Sequence, residues 1–590
     1  MGEKFVYALE ETIGDPDLFV GRKEELNRLQ KWTDRIPKKL SQSTAILSRR
    51  KKGKTALVER LFNIIYNQNS NLIPFYYEVR EGKKWVANFA LDFYTSFISH
   101  YLGFKLRDTS LCRAPASLNK LEQIAHKNNI EVIVDNIEMF KEYYQNKEDV
   151  DNLWKYAQSA PHRIASTTDD FIVQIIDEFQ FLNSEICRDE NCEYEINDLA
   201  GTYLSLAESK VAPMLVTGSW VGWLKRIIRG QLPARFEEIE LGNLTWEEGL
   251  EAVYNYSNYT EVSLKDNIAV YLNDLVDSDP FYITALIQSN YAQKDLTTED
   301  GLLELIEYEL RKGNIYKTWM EYILTTLDKV NDVHAKKIIL FLTRNRNKEW
   351  TRKEIIEKCD LPYNDREAEE KLRMLIKGDL ISDGSTSVRY KGMQDDIFYH
   401  LFRFKYEEEI ENFSFKKTKK ELYQKQIKKI ASLKKKLESY KGKEKYYRGK
   451  LLEYVLIKFL RTGKYTNNSI SLKELVRNYQ SGARFTDYKE VKSYTFQAEG
   501  GSSKQIDIRA YSFQEGNDLY FEIKNWQQKV GKNTVNEFVK KVKVLRETNS
   551  EGYFIFYALN GFTSRAEEMM VENDIMYADW ENWPIEIYKQ

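Results

Sequence analysis

The sequence predicts a multidomain α/β chain: a parallel sheet with helices on both faces, a helical lid, a winged helix and a smaller C-terminal α/β domain. Three observations predict its two α/β parts, and the lid and winged helix follow further along the chain. The apolar run Thr44–Leu47 enters the loop Ser48-Arg49-Arg50-Lys51-Lys52-Gly53-Lys54-Thr55, which leaves as the helical pattern Ala56–Phe62. A second apolar strand, Phe171–Ile176, ends on the carboxylate pair Asp177-Glu178. Beyond residue 448 the period changes, and strands are expected at Val491–Phe496, Gln505–Tyr511 and Leu519–Trp526.

Length and composition bound the reading. At 590 residues the chain is too long for one core, and one domain per roughly 150 residues gives about four. With 42% hydrophobic residues, 27 Gly and 10 Pro, long disordered tracts are not expected. No run of about 18 uncharged apolar residues and no apolar segment after Met1 are found, so a cytoplasmic protein with no membrane partner is expected. The four cysteines, Cys112, Cys187, Cys192 and Cys359, form no CxxC pair and only five histidines exist, so neither a zinc site nor a disulfide framework is supported. A net charge of −2 excludes a wholly basic nucleic-acid coat.

In chain order, Phe19-Val20-Gly21-Arg22 makes a compact turn into a charged helix through Leu29 and Trp32. The loop Ser48–Thr55 then follows G-x-x-x-x-G-K-[ST] except at its first glycine, where Ser48 stands. Such a loop cradles phosphates with backbone N–H groups and a helix N-terminus; Lys54 reaches the β/γ oxygens and the Thr55 hydroxyl holds Mg²⁺. Residues 71–79 read as a strand, 85–103 as an apolar helix, and about 104–165 as a helical insertion or lid. Asp177 at a strand's carboxyl end suits the metal's water shell, and Glu178 suits polarising an attacking water. The strand Met214–Val216 ends in Thr217-Gly218-Ser219, where Ser219 can sense a γ-phosphate. Arg229 and Arg235 are candidates to stabilise phosphoryl charge. Residues 245–290 read as a helical lid containing the helix start Asp279-Pro280.

Together, Phe19-Val20-Gly21-Arg22, Gly53-Lys54-Thr55, Ile176-Asp177-Glu178 and Thr217-Gly218-Ser219 resemble the archaeal-type STAND/AAA+ P-loop ATPases over about residues 15–400. The resemblance implies ATP and Mg²⁺ as cofactors, with Gly21, Arg22, Ser48, Gly53, Lys54, Thr55, Ser219 and Arg235 at the nucleotide. It also implies Walker B roles for Asp177 and Glu178, a homo-oligomer or partner protein met through the ATPase, and a winged helix after the lid. Ser48 departs from the family pattern and bears on turnover more than on binding. Helices at Ala335–Leu342, Thr351–Lys358 and Arg366–Ile376, then strands near Leu380–Ser382 and Ser387–Tyr390, fit the winged helix. Its third helix mixes Arg366, Lys371 and Arg373 with Asp365, Glu367, Glu369 and Glu370, favouring a regulatory role over groove reading. From Lys416 to Lys450, 15 Lys/Arg stand against three Glu, with apolar residues at helical spacing: a basic amphipathic linker helix able to track phosphates.

The expected boundaries are 1–243, 244–330, 331–410, 411–447 and 448–590. In the last of these, alternation places Glu522 and Lys524 on one strand face, where Asp507 of the preceding strand can meet Glu522. Two carboxylates can hold Mg²⁺ and the lysine can position water beside a scissile phosphate. Asp507, Glu522-Ile523-Lys524 and a preceding helix with Glu453 resemble the PD-(D/E)XK, or restriction-endonuclease-like, nucleases over about residues 448–585. That resemblance implies Asp507 and Glu522 as metal ligands, Lys524 as the catalytic lysine and Glu453 as an auxiliary ligand. The expectation is an ATP-regulated, Mg²⁺-dependent DNA endonuclease suited to defence against foreign DNA or to recombination and repair. A signalling ATPase with a C-terminal docking module, and an RNA nuclease, are the rival readings.

Overall fold

The computed structural model describes residues 5–145, 149–219, 221–330, 334–386, 388–411, 444–463, 470–497, 503–526, 528–547 and 552–584. The chain divides into two compact units, one of residues 1–264 and 272–430, the other of 431–590 with the short stretch 265–271.

The first unit is built on a five-stranded sheet of β1 (Ser43–Leu47), β2 (Leu72–Glu78), β3 (Phe171–Asp177), β4 (Met214–Gly218) and β5 (Phe236–Glu240). Its order is β2-β3-β4-β1-β5, and every pair is parallel. β1, β3 and β4 are short apolar runs buried almost throughout, as strands covered on both faces must be. β5 has no such signature. Its Phe236-Glu237-Glu238-Ile239-Glu240 is an acidic edge strand whose three glutamates pair with Arg28, Arg229 and Lys225. Charged edges of this kind block pairing with another chain.

Helices α1 (Lys23–Thr33), α2 (Lys54–Gln68) and α3 (Val86–Lys105) flank the sheet in sequence. Four more follow, α4 (Thr109–Arg113), α5 (Leu118–Lys127), α6 (Glu131–Gln145) and α7 (Val150–Thr167). They are an extension of the sheet's own core. Tyr94 of α3 stacks on Phe140 of α6 at 4.0 Å, and Phe89 meets Trp154 of α7 at 5.0 Å, all within one apolar cluster that includes β1, β3 and β4. A movable lid would not share that core.

After α8 (Val221–Gln231), the expected lid comprises α9 (Trp246–Tyr259), α10 (Asp266–Leu275), α11 (Pro280–Ile287), α12 (Glu299–Arg311) and α13 (Asn314–Val330). Thr245 and Glu248 form a capping box on α9, and Asp279 caps α11 with Pro280 in its first turn. Over 331–410, where a winged helix is expected, lie α14 (Ala335–Arg344), β6 (Trp350–Thr351), α15 (Arg352–Cys359), α16 (Asp365–Lys377), β7 (Ile381–Asp383) and β8 (Arg389–Gly392), the strands paired in the order β6-β8-β7, and α17 (Asp396–Glu411) follows. The cations of α16 are used internally: Arg366 pairs with Glu370, Arg373 with Glu369, and Lys371 donates to the Val330 carbonyl at 2.6 Å. The basic linker helix of 411–447 lies outside the described residues except at its two ends.

The second unit begins with α18 (Glu444–Thr462). A five-stranded sheet follows, with β9 (Tyr488–Gln497), β10 (Ser503–Ser512), β11 (Asp518–Lys524), β12 (Gly552–Ala558) and β13 (Met576–Ala578) in sequence order. β9, β10 and β11 are antiparallel neighbours; β11, β12 and β13 are parallel. Parallel pairing needs crossovers, supplied by α19 (Lys532–Glu547) and α20 (Ser564–Glu572). Val535, Phe538 and Val542 of α19 share a core with Tyr520 of β11 and Phe554 and Phe556 of β12.

Candidate functional site

The loop after β1 has the backbone of a phosphate cradle. Its positive φ angles fall at Lys51 (63°) and at Gly53 (82°), the residue before α2, and not at Ser48. A serine therefore fits the first glycine position without backbone strain. Lys54 opens α2 with its side chain buried, and its ammonium donates to the Arg49 carbonyl at 3.2 Å. Burial pushes its pKa below the ordinary lysine value despite the pull of Glu178 and Asp177. Thr55 Oγ1 donates to Asp177 Oδ2 at 2.7 Å, so the loop hydroxyl and the β3 carboxylate meet as a metal-and-phosphate site requires. Thr217 also donates to Asp177, and burial followed by the Glu178 charge raises the Asp177 pKa.

Glu178 follows in a left-handed conformation (φ 53°) and accepts from Ser219 Oγ at 2.8 Å and from Gln180. The Ser219 expectation thus meets Glu178 directly. Gly21 has φ 75°, and a Cβ there would lie 3.0 Å from Glu248 of the lid. The buried Arg22 braces the loop, donating to the Lys52 carbonyl at 2.9 Å and the Gly242 carbonyl at 2.7 Å. Arg235 is placed elsewhere. It precedes Phe236, which is level with Ser43, so it sits at the amino end of the sheet, one strand length from the loop, and pairs with Glu208 at 2.8 Å. Arg229 is likewise held by Glu238 at 2.7 Å.

Sequence reasoning missed what faces the loop. Arg49 lies half-buried between Asp379 (3.9 Å) and Asp395 (3.7 Å) of the winged-helix region, with its guanidinium 5.7 Å from the Trp319 ring. Burial alone would lower the Arg49 pKa, but the two aspartates outweigh it. Asp395 also accepts from Tyr282 at 2.7 Å, whose oxygen accepts from Trp319 Nε1 at 2.9 Å. Lys52 bonds Asp279 of the lid and Asn243 just before it, and the Arg50 guanidinium stacks on Tyr322 at 4.6 Å. The space these groups line is about 20 Å³, room for about one water and too little for a nucleotide phosphate chain. Carboxylates occupy the cationic loop much as phosphates would.

The second unit carries a second centre. β9 and β10 lose register between Lys492↔Arg509 and Tyr494↔Ile506, so three steps on β10 match two on β9. That bulge falls at Asp507–Ile508, and bulges re-aim side chains beside active sites. The β10–β11 ladder runs from Ile508↔Phe521 to Ala510↔Leu519; beyond it Asp507 Oδ2 accepts the Ile523 N–H at 2.7 Å. Asp507 is thereby pinned beside β11. Lys524 Nζ donates to Glu522 Oε1 at 2.8 Å and to the Ile523 carbonyl at 3.2 Å, and stands 3.8 Å from Asp507 Oδ2.

A cation thus already sits where two carboxylates and a carbonyl converge, and hard oxygen donors of this kind fit Mg²⁺. Burial and the neighbouring Glu522 raise the Asp507 pKa, while Glu522 and Asp507 hold Lys524 above its ordinary value against burial. Glu453 reaches the centre less directly: it pairs with Lys450 at 2.6 Å, and its charge contributes to the raised Lys524 pKa. Among the described residues no three His, Cys, Asp or Glu side chains converge as a metal cluster. Lys541 of α19 is the residue missed here; its ammonium donates to Glu522 Oε2 at 2.7 Å. An inward lysine on a helix rich in surface lysines gives no sequence signal.

No family model matches the chain, and no curated protein matches it. Among solved structures it is similar to the Walker-type ATPase PABY2304 of Pyrococcus abyssi, at 14% identity over 65% of this chain and 96% of that one, with a TM-score of 0.43. It is similar to the ORC2 protein of Aeropyrum pernix at 12% identity over 66% and 96%, with a TM-score of 0.36. The RuvB Holliday junction branch migration motor of Thermotoga maritima matches at 13% identity over 68% and 98%, with a TM-score of 0.31. Likeness at these scores assigns no activity; what the sites can do follows from their own residues.

Proposed function

We propose that this chain is an ATP-binding switch that governs a Mg²⁺-dependent DNA endonuclease of the PD-(D/E)XK kind in its C-terminal unit, with a role in defence against foreign DNA or in recombination and repair. The observation that carries the nuclease reading is the convergence of Asp507 and Glu522 on Lys524 at a bulged strand end. Asp507 and Glu522 would hold the metal, which supplies charge neutralisation and an activated water. Lys524 orients that water beside the phosphate, and the Ile523 N–H keeps Asp507 turned towards β11.

In the first unit, Gly53 and the start of α2 present N–H groups to the phosphates, Lys54 supplies the charge and Thr55 with Asp177 would hold the metal. Glu178, oriented by Ser219 and Gln180, polarises water. The carboxylates around Arg49 and Lys52 favour a switch over a continuously cycling motor, because nucleotide phosphates must compete with Asp279, Asp379 and Asp395. The internally paired cations of α16 support a regulatory winged helix.

Plasmid cleavage in Mg²⁺ tests the nuclease reading. Wild type should cut, whereas Glu522→Ala and Lys524→Ala should each lose activity by about a hundredfold or more. Cleavage unchanged in both variants refutes the assigned centre. Parallel RNA substrates decide which nucleic acid is cut.

A further inference from the structure

The C-terminal centre holds more ammonium groups than its metal-binding pattern calls for. Glu522 is buried, and each of its oxygens is held by a different lysine: Oε1 by Lys524 at 2.8 Å, Oε2 by Lys541 at 2.7 Å. The two lysines are not equivalent. Lys524 ends a strand whose every residue is in parallel register with β12, up to Lys524↔Ala558. Lys541 reaches in from α19, while its neighbour Lys540 turns outward to the exposed Glu537. A lysine ammonium on a four-carbon stem can swing without moving its helix.

A buried carboxylate matched by two ammonium groups is satisfied only while both stay. A divalent cation arriving at Asp507 and Glu522 repels both lysines and competes for the same oxygens. Lys541 is then the group free to leave, and it needs an anion. The anion that must approach this centre for phosphodiester chemistry is the substrate's own phosphate.

We propose that Lys541 is a second substrate-binding lysine, displaced from Glu522 by the divalent metal and then holding a non-bridging phosphate oxygen of the nucleic acid. The proposal rests on reading this unit as a metal-dependent phosphodiesterase. Lys541 therefore opposes the metal and assists the substrate, so its removal moves the two affinities in opposite directions. A lysine that merely props the fold would move both the same way, or neither.

The experiment uses the full chain. Calorimetry measures Ca²⁺ binding, since Ca²⁺ takes the same carboxylate donors, and fluorescence anisotropy measures binding of a DNA duplex in Ca²⁺. Lys541→Met should bind Ca²⁺ about tenfold more tightly and DNA about tenfold more weakly than wild type. Lys541→Arg should restore DNA binding. Lys541→Gln, with a polar and isosteric stem, repeats the measurement if the methionine variant melts early. Both affinities falling together, or neither changing, overturns the proposal. If wild type binds no Ca²⁺ and Glu522→Gln behaves like wild type, the phosphodiesterase reading itself falls, and Lys541 with it.

Discussion

A buried ammonium bonded to a carbonyl rather than a carboxylate is poorly compensated, and Lys54 is in that state, with its pKa lowered by burial. An anion at the loop relieves it. Lys54→Ala should therefore weaken ATP binding by about a hundredfold in calorimetry; unchanged affinity would contradict the cradle. Glu178→Gln should retain ATP but slow its hydrolysis by about a hundredfold, read as bound nucleotide surviving gel filtration. His100 makes a separate pH prediction. It is buried and neutral, its Nδ1 accepting from the Tyr76 N–H at 3.3 Å and its Nε2 lying 3.0 Å from the Cys112 carbonyl, and burial pushes its pKa down to about 4. A depressed folded pKa contributes stability above the unfolded value near 6.5 that is lost as pH falls towards 4. That loss amounts to about 3 kcal/mol. Thermal melts between pH 7 and 4.5 should show it in wild type, and His100→Gln should flatten it. That Lys54, Thr55, Asp177, Glu178 and Ser219 stand in a loop or at strand ends was legible from the apolar runs beside them. His100 and Lys541 were not, because their roles depend on partners supplied by other elements.

At the scale of elements, the sequence reading found β1, β3, β4 and the strands of the second unit from apolar or alternating runs. It passed over β5, whose glutamates are tolerable only because Arg28, Arg229 and Lys225 answer them. That strand also explains Arg235, which looked well placed after α8 but enters β5 at its amino end. The bulge at Asp507 was invisible for a similar reason, since register is a property of two strands and not of one. The contact of the lid and winged helix with the loop joins Arg49 to Asp379 and Asp395 across more than three hundred residues, beyond any local pattern. Anions facing a phosphate loop oppose phosphate. Asp379→Asn combined with Asp395→Asn should tighten ATP binding severalfold in calorimetry, by the ordinary Coulomb argument; weaker binding would show that the aspartates support the site instead of blocking it.

At the scale of the whole molecule, two units with separate cores each bring one charged centre. One centre is a cationic loop filled by carboxylates; the other is a carboxylate pair filled by lysines. On the proposed reading, each takes a ligand of the kind its occupants imitate, phosphate in the first unit and a divalent cation in the second. That a second α/β unit follows the first was legible because the change of period beyond residue 448 is long enough to read. The basic stretch between the units lies outside the described residues except at its ends. The central claim is that nucleotide in the first unit governs phosphodiester cleavage in the second. The direct measurement is Mg²⁺-dependent cleavage of plasmid DNA with and without ATP, in wild type, Lys54→Ala and Glu522→Ala. The account predicts that ATP changes the wild-type rate by about tenfold or more, has no effect on Lys54→Ala, and leaves Glu522→Ala inactive throughout. Cleavage by wild type at one rate whether or not ATP is present, or cleavage that survives Glu522→Ala, would contradict it.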